Sequence, residues 1–556
     1  MSDLRELTIE VRGMTCGHCE RSVAKALESV LGITEVRQVS HADGLARVAA
    51  GSGASAVRIE EAVAKAGYWA RVMDQPVIGS PAIVAQNSAE FELVIVGGGS
   101  AAFAAAIKGA ELGARVGMVE GSTLGGTCVN VGCVPSKTLI RAAEARHRRV
   151  HHGFAGIPAG DGRPDWSLVR GQKDALVTQL RQAKYRDVLG SYDAVTLFEQ
   201  RATLTTPREV RLADGRTLAA GKILLATGAG PQVPPIPGLV EAGFLDNVSA
   251  MALERLPDSL IVIGAGFVAV ELGQMFVRLG VSVTMLARQN RVLSSQDPEI
   301  GAGLAEYLRD EGIDVRTETT VERVDRTTHC GRYRARVSRH GKTDVLEADQ
   351  LLVATGRRAR VTGFGLEAIG VSLGRKGEIV VDDHLETRVP GVYAAGDVVG
   401  EPMFVYVAAY GGALAAENAL TGNTRRVELS AVPRVTFSDP AVASVGITEA
   451  DARARGIDPL VSRLPMEHVA RSLAAHDTRG FVKLVADATT RKIIGAQILA
   501  AEAGEMITEP MLAIRFGLSI EDIASTFHPY LTSSEAIKLA AQAFDKDLGK
   551  LSCCAA

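Results

Sequence analysis

Residues 91–120 read FELVIVGGGSAAFAAAIKGAELGARVGMVE, and they predict a strand, a glycine turn, a helix and a second strand in succession. Gly97 and Gly99 permit a tight turn and the close approach of a pyrophosphate to the helix N-terminus, and Ala102 takes the third small position. Glu120 ends the second strand, where an acidic side chain binds a ribose hydroxyl. The stretch therefore predicts a dinucleotide-binding βαβ unit.

The same pattern recurs at residues 259–288, SLIVIGAGFVAVELGQMFVRLGVSVTMLAR, with Gly264, Gly266 and Ala269 at the equivalent places. This second unit ends at Arg288 and lacks an acidic residue there. An arginine at this place suits the 2′-phosphate of NADP, although a solvated surface charge is the alternative. Two units with different ribose readers predict two dinucleotides, one FAD and one NADPH, with NADPH favoured over NADH.

A pair of cysteines follows the first unit in LGGTCVNVGCVPSK, residues 124–137. Cys128 and Cys133 have four residues between them, and Lys137 follows on the next predicted helix. Structural cysteines or half of a zinc site are the alternatives. The motif resembles that of the class I flavin disulfide reductases, such as glutathione reductase and dihydrolipoamide dehydrogenase, and the resemblance covers residues 91–556.

This resemblance implies a path for electrons. NADPH would deliver hydride to one face of the flavin, and the flavin would reduce the Cys128–Cys133 disulfide on its other face. Cys133 corresponds to the cysteine beside the flavin, and Cys128 to the one that faces substrate. Lys137 would lie by flavin N5, paired with Glu271, and Phe267 would cover the nicotinamide pocket.

Three further segments resemble parts of the same family. ILLATGAG (223–230) and LLVATGRR (351–358) are similar to its strand-to-loop crossings, and VYAAGDVVG (392–400) is similar to its flavin-binding segment. The resemblance assigns the remaining cofactor contacts to Thr127, Ala202, Gly228, Asp397 and Val405.

Residues 1–72 predict a separate unit with the order βαββαβ, a ferredoxin-like pattern, and residues 73–90 predict a linker. Cys16 and Cys19 stand in GMTCGHC at the start of the first helix, where thiolates are favoured. Two thiolates suit a soft ion such as Cu(I) or Hg(II). A thioredoxin-type redox pair is the alternative, but the element order differs. The motif resembles the heavy-metal-associated domains of metallochaperones, without a choice between copper and mercury.

The chain ends in LSCCAA, with Cys553 and Cys554 adjacent. They are either an accidental end or two soft ligands on an arm. Together with the other two cysteine pairs they resemble the mercuric reductase family. This resemblance implies NADPH-dependent reduction of thiol-bound Hg(II) to Hg(0), with the ion relayed from Cys16/Cys19 through Cys553/Cys554 to Cys128/Cys133. It also places Tyr185 and Tyr530 at the metal site, with interface packing as their alternative role.

The acid/base position leaves a second function open. Disulfide reductases carry His-Pro-x-x-x-Glu near the C-terminus, and counting back from Glu535 puts Tyr530 at the histidine position. His528 lies two residues earlier and is the alternative acid/base. A disulfide or dihydrolipoamide oxidoreductase with a fused metallochaperone domain is therefore one alternative function. A non-enzymatic protein that sequesters metal or delivers copper is the other.

Composition limits the partners and the location. Lys+Arg number 61 and Asp+Glu 64, for a formal charge of -3, which argues against nucleic acid as a partner. The sequence shows no signal peptide and no apolar run of membrane-spanning length, so we expect a cytoplasmic protein without membrane insertion. We expect a homodimer with shared active sites, supplied in part by a membrane mercury transporter. Cys330 is expected to be inert.

The predicted fold class is α/β: two Rossmann-like dinucleotide-binding domains, an α+β dimerisation domain and the N-terminal ferredoxin-like domain. The predicted boundaries are 1–72 for the metal-binding domain, 73–90 for the linker, 91–228 for the FAD-binding domain, 229–355 for the NADPH-binding domain, 356–429 for a central segment, and 430–556 for the dimerisation domain with its cysteine tail.

Overall fold

The computed structural model describes residues 5–12, 14, 17–51, 54–73, 89–160, 162–327 and 331–547. The contacts within the chain divide it into two units, Met1–Asn87 and Ser88–Ala556, and this division falls inside the predicted linker. Four cysteines with predicted roles lie outside the described residues, so those roles stay predictions: Cys16, Cys330, Cys553 and Cys554.

The first unit is a four-stranded antiparallel sheet with two helices. Its elements are β1 (Arg5–Arg12), α1 (Gly17–Glu28), β2 (Ile33–Ser40), β3 (Leu45–Ala50), α2 (Ala56–Lys65) and β4 (Trp69–Val72). The strand order is β2-β3-β1-β4. Helix α1 buries Val23 and Leu27, which are one turn apart and face the sheet.

The second unit begins with a sheet whose centre is parallel. Its first elements are β5 (Phe91–Val96), α3 (Ser100–Glu111), β6 (Val116–Val119), α4 (Gly126–Val131), α5 (Cys133–Val150), α6 (Trp166–Arg181), α7 (Asp187–Gly190), β7 (Val195–Phe198), β8 (Ala202–Thr206), β9 (Glu209–Leu212) and β10 (Thr217–Leu225). The strand order is β7-β6-β5-β10-β9-β8. Strand β5 is almost entirely buried, as expected for a strand covered on both faces.

A second parallel sheet follows in the chain. Its region comprises β11 (Ala229–Pro231), α8 (Leu239–Ala242), α9 (Asn247–Met251), β12 (Ser259–Ile263), α10 (Phe267–Arg278), β13 (Ser282–Leu286), α11 (Pro298–Asp310), β14 (Asp314–Arg316), β15 (Thr319–Arg326), β16 (Tyr333–Arg339), β17 (Lys342–Ala348), β18 (Gln350–Val353) and β19 (Arg357–Ala359). The parallel order is β14-β13-β12-β18, while β15-β16-β17 form an antiparallel sheet.

The chain then returns to the first parallel sheet before it forms the last one. The remaining elements are β20 (Val392–Ala394), α12 (Val405–Thr421), β21 (Arg434–Thr436), β22 (Ala441–Gly446), α13 (Glu449–Ala454), β23 (Pro459–Pro465), α14 (Ala470–Ala474), β24 (Phe481–Asp487), β25 (Ile493–Ala500), α15 (Ala503–Met506), α16 (Thr508–Phe516), α17 (Ile520–Ser525) and α18 (Glu535–Gln542). Strand β20 pairs with β10, and the last sheet is antiparallel in the order β21-β22-β25-β24-β23. No helix in the described part of the chain is long and apolar enough to cross a membrane.

Candidate active site

The turn between β5 and α3 depends on glycine. Gly97 has a φ of 130°, and a Cβ atom there would overlap the carbonyl oxygen of Ala226. Both features exclude larger residues, so the backbone stays close to the neighbouring strand and the N-terminus of α3 is kept accessible. Glu120 lies against this turn after β6, and burial raises the pKa of its carboxyl group.

A cavity extends from this turn along the first residues of α5. Seven residues with a predicted cofactor role line it: Gly99, Thr127, Lys137, Gly228, Phe267, Asp397 and Val405. Ala102 is buried in α3, and Ala202 is buried in β8 outside this lining. The role of Ala202 therefore stays a prediction. A glycine-lined helix N-terminus with an acidic ribose reader fits an extended dinucleotide such as FAD.

Asp397 is held by Arg357, which the sequence patterns left without a role. The Arg357 guanidinium lies 3.4 Å from the Asp397 carboxylate and also donates a 2.8 Å hydrogen bond to the Ala229 carbonyl. Burial raises the pKa of Asp397, and the charge of Arg357 acts in the opposite direction. The arginine is in the quoted LLVATGRR segment, but its partner is separated from it by 40 residues.

The two cysteines lie at a junction between helices. Cys128 belongs to α4 and Cys133 is the first residue of α5, so the Cys133 sulfur stands at a helix N-terminus. Both are thiols on the wall of the cavity. A hydrogen bond from Cys128, assisted by the Lys137 charge, lowers the pKa of Cys133 to about 7. The same hydrogen bond, together with burial, raises the pKa of Cys128.

Lys137 is fixed on its far side by Glu271 from α10. The Lys137 Nζ atom donates a 2.7 Å hydrogen bond to Glu271 Oε2, and only 5% of the Glu271 side chain is exposed. Glu271 Oε1 accepts a 3.0 Å hydrogen bond from the backbone N–H of Phe437, whose ring lies 4.5 Å from Lys137 Nζ. Phe437 is thus a part of this pair that the sequence did not indicate.

A second, larger cavity lies beside the turn between β12 and α10. Gly264, Gly266 and Arg288 line it, together with Arg291. Gly264 has a φ of 125°, and a Cβ there would overlap the carbonyl oxygen of Ala354. This geometry repeats that of the first turn, and Ala269 is again fully buried in the following helix.

Phe267 lines both cavities, so its ring stands where they meet. Arg288 and Arg291 give one end of the second cavity a positive charge. This set of residues fits NADPH, whose 2′-phosphate requires a positively charged partner. Arg291 has no counterpart among the sequence predictions.

Tyr185 lies close to the cysteines, in a π-helical turn (Gln182–Arg186) between α6 and α7. Its ring packs edge-on against Phe103 at a centroid distance of 4.6 Å, and its hydroxyl hydrogen-bonds to the Ser100 side chain. Burial and then the nearby Cys128 raise the pKa of Tyr185. A π-turn is uncommon and often marks a functional site, but no sequence pattern indicated it.

Tyr530 and His528 lie on the segment between α17 and α18, in the C-terminal part of the chain. Tyr530 is 56% exposed and lines neither cavity. His528 Nε2 lies 2.8 and 2.9 Å from the two carboxylate oxygens of Glu509, and His528 Nδ1 lies 3.1 Å from the Thr526 carbonyl oxygen. Glu535, the expected partner of an acid/base histidine, has a buried carboxylate oxygen without a partner among the described residues.

The family comparisons cover most of the second unit. The family described as pyridine nucleotide-disulphide oxidoreductase matches residues 91–412, and its dimerisation domain matches residues 432–541. The chain is also similar to a solved structure, the Cu(II) complex of the HOCl-induced flavoprotein disulfide reductase RclA from Escherichia coli. The TM-score is 0.73 at 29% identity, over 82% of this chain and 99% of that one.

Curated relatives extend the similarity over the whole chain. The mercuric reductase of Staphylococcus aureus is 42% identical over 548 residues, with 98% of each chain covered. That of Shigella flexneri is 42% identical over 568 residues, covering 99% of this chain and all of the other. The mercuric reductase of Streptomyces lividans is 46% identical over 474 residues, covering 84% of this chain and 99% of its own.

Proposed function

The chain belongs to the mercuric reductase family, and from this premise we propose how it carries out the NADPH- and FAD-dependent reduction of Hg(II) to Hg(0). FAD, when bound, would accept two electrons from NADPH and supply them to the Hg(II) ion held by the reduced Cys128–Cys133 pair. The residues described above would bind and orient these two cofactors and compensate their charges.

The two cavities bind the two dinucleotides. In the first cavity, the FAD pyrophosphate and ribose would be held by Gly97, Gly99 and Glu120. Asp397, held by Arg357, would close the opposite side of this cavity. In the second cavity, Arg288 and its neighbour Arg291 bind the 2′-phosphate of NADPH. Phe267 covers the end of the second cavity that meets the first. A ring at this place keeps water out and yields to the nicotinamide when NADPH enters.

The observation that carries the proposal is the state of the cysteine pair. Cys133 is poised as a thiolate near neutral pH, at a helix N-terminus and beside the Lys137 ammonium group. Cys128 shares its proton with that sulfur. A dithiol in this state binds Hg(II) as soon as one proton leaves, because thiolates are the preferred ligands of soft metal ions. Glu271 fixes the position of the Lys137 ammonium group, whose positive charge lies next to the cysteine pair.

Hg(II) reaches this pair by ligand exchange between thiolates. We propose that Cys16 and Cys19 collect the ion in a ferredoxin-like, heavy-metal-associated domain. The adjacent Cys553 and Cys554 then carry it to Cys128 and Cys133. Each incoming sulfur binds before the previous one leaves, so the ion is never released to water. The incoming substrate is an Hg(II)–thiol complex, including ions passed on by a membrane mercury transporter.

We propose that His528 does not act as the acid/base histidine of a disulfide reductase. Both ring nitrogens of His528 face acceptors of its own chain, the Glu509 carboxylate and the Thr526 carbonyl. The engagement of both nitrogens supports this proposal. Tyr530, at the substituted position, and Tyr185, beside Cys128, instead offer phenol oxygens to a partly coordinated metal ion. Reduction of Hg(II) needs no proton donor.

The dimerisation domain indicates a homodimer, in which we propose that the subunits share their active sites. We further propose that the reaction takes place in the cytoplasm, where small thiols and NADPH are abundant. Because the proposed relay carries Hg(II), we propose that Cys16 and Cys19 bind mercury in preference to copper. A preference for NADPH over NADH follows from Arg288.

The test is NADPH oxidation by the purified flavoprotein with excess small thiol, before and after addition of Hg(II). The headspace is trapped for mercury vapour, and glutathione disulfide and lipoamide are assayed in parallel. We expect oxidation that depends on Hg(II), with volatile Hg(0) and no turnover of either disulfide. Turnover of a disulfide without a response to Hg(II) would contradict the proposal and return His528 to the acid/base role.

A further inference from the structure

The segment from Ser525 to Leu531, between α17 and α18, presents an unusual surface. Phe527 is 97% exposed and Tyr530 56% exposed, and Leu531 adopts a left-handed φ of 64°. His528 is the one residue of the segment that is not exposed, and only 4% of its side chain is accessible. A single buried imidazole therefore anchors a stretch of otherwise exposed residues.

The anchor is held on both sides of its ring. His528 Nε2 points to both oxygens of Glu509 on α16, and His528 Nδ1 points to the carbonyl oxygen of Thr526. The ring therefore ties the segment both to α16 and to its own backbone.

We propose that His528 is a positioning residue, whose buried imidazole ring clamps the segment to α16 and thereby presents Tyr530 to the metal ion. Tyr530 follows His528 by two residues, so rotation or lifting of the ring displaces the phenol directly. The proposal rests on the proposed function, in which Tyr530 contacts Hg(II). It assigns to the histidine a role in geometry in place of proton transfer.

The experiment is a double-mutant cycle of His528→Gln and Tyr530→Phe. Glutamine at position 528 keeps an amide donor but lacks the imidazole ring. The second-order rate constant for Hg(II) reduction is measured with excess thiol, together with the rate at which NADPH reduces the flavin. His468→Gln is the matched control, because His468 is exposed and lies 3.9 Å from the neighbouring Glu467. Hydrogen exchange of the peptide that covers residues 526–532 reports the clamp without any metal.

We expect His528→Gln to lower the rate constant for Hg(II) by about tenfold, the scale of a lost charged hydrogen bond, with flavin reduction unchanged. In the Tyr530→Phe background, His528→Gln should lower the same rate constant by less than about threefold, because the phenol that His528 positions is absent. Exchange of the 526–532 peptide should rise by about tenfold in His528→Gln. The control should match wild type in both measurements.

An equal loss in both backgrounds, or unchanged exchange in His528→Gln, overturns the proposal. Loss of disulfide turnover by His528→Gln also overturns it, because that outcome identifies an acid/base. If His528→Gln fails to retain flavin, Glu509→Gln is measured in its place and must show the same cycle. Failure of the proposed function is distinct: the wild-type protein then does not reduce Hg(II), while the exchange measurement still reports whether the clamp exists.

Discussion

Replacing Cys128 with alanine is expected to raise the pKa of Cys133 from about 7 toward its ordinary value of 9.0. The reason is that the Cys128 thiol donates the hydrogen bond that contributes most to the low pKa. The Lys137 charge contributes less, and burial acts in the opposite direction. Alanine removes the donor while it leaves Lys137 and the burial of Cys133 in place.

The size of the effect follows from these contributions. A pKa near 7 in place of 9.0 corresponds, at 1.36 kcal/mol per pKa unit, to roughly 3 kcal/mol in favour of the thiolate. Loss of the largest contribution in Cys128→Ala should raise the pKa further than loss of the Lys137 charge in Lys137→Met. At pH 7.5 the thiolate fraction would fall from about three quarters toward the few per cent of a thiol with the ordinary pKa of 9.0.

The assay is the pH dependence of alkylation of Cys133 by iodoacetamide in the fully reduced protein, with the modified peptide quantified by mass spectrometry. Only the thiolate reacts, so the midpoint of the rate profile is the pKa. Cys19, in the other unit of the chain, is the internal reference, and its profile should be the same in every variant. A Cys133 midpoint that stays near 7 without Cys128, or that moves more in Lys137→Met than in Cys128→Ala, would refute the reasoning.

Three further predictions concern the cofactors and the relay. Replacing Cys553 and Cys554 with alanine should lower kcat/KM for thiol-complexed Hg(II) by about tenfold or more while flavin reduction by NADPH is unchanged; equal turnover in both proteins would contradict the relay. Gly97→Ala should abolish flavin retention, measured as the flavin-to-protein absorbance ratio, because the new Cβ overlaps the Ala226 carbonyl oxygen. Arg288→Leu should raise KM for NADPH by about tenfold and leave KM for NADH unchanged, and an equal rise for both cofactors would exclude the 2′-phosphate contact.

The features that the sequence revealed are those set by neighbouring residues. The two glycine turns are examples, because a strand, a left-handed glycine and a helix start follow one another within ten residues. The first helix of the chain could be placed in the same way, from the spacing of Val23 and Leu27.

The features that the sequence concealed depend on contacts between distant residues. Lys137 and Glu271 are 134 positions apart, and it was the resemblance to the disulfide reductases that predicted their pairing, which is confirmed. Phe437, which joins them from a further 166 positions along the chain, had no such signal. The spacing within each segment carries no information about which backbone N–H will meet a carboxylate from another domain. Glu509 is a similar case, because no pattern in the sequence of its helix indicates that the folded chain places His528 against it.

The cysteine pair and His528 bear on the same chemical question, which is where protons are needed. A disulfide substrate consumes protons, since each sulfur that leaves must become a thiol. Hg(II) has the opposite requirement, because both cysteines must be deprotonated to hold it. In this chain Cys133 already favours the thiolate and Cys128 keeps its proton only through that thiolate, so an arriving metal ion displaces a single proton near neutral pH. His528 is the histidine that could supply protons to a substrate, and both of its ring nitrogens make hydrogen-bond contacts within its own chain. The site is therefore organised to lose protons, which suits a metal ion and opposes the reduction of a disulfide.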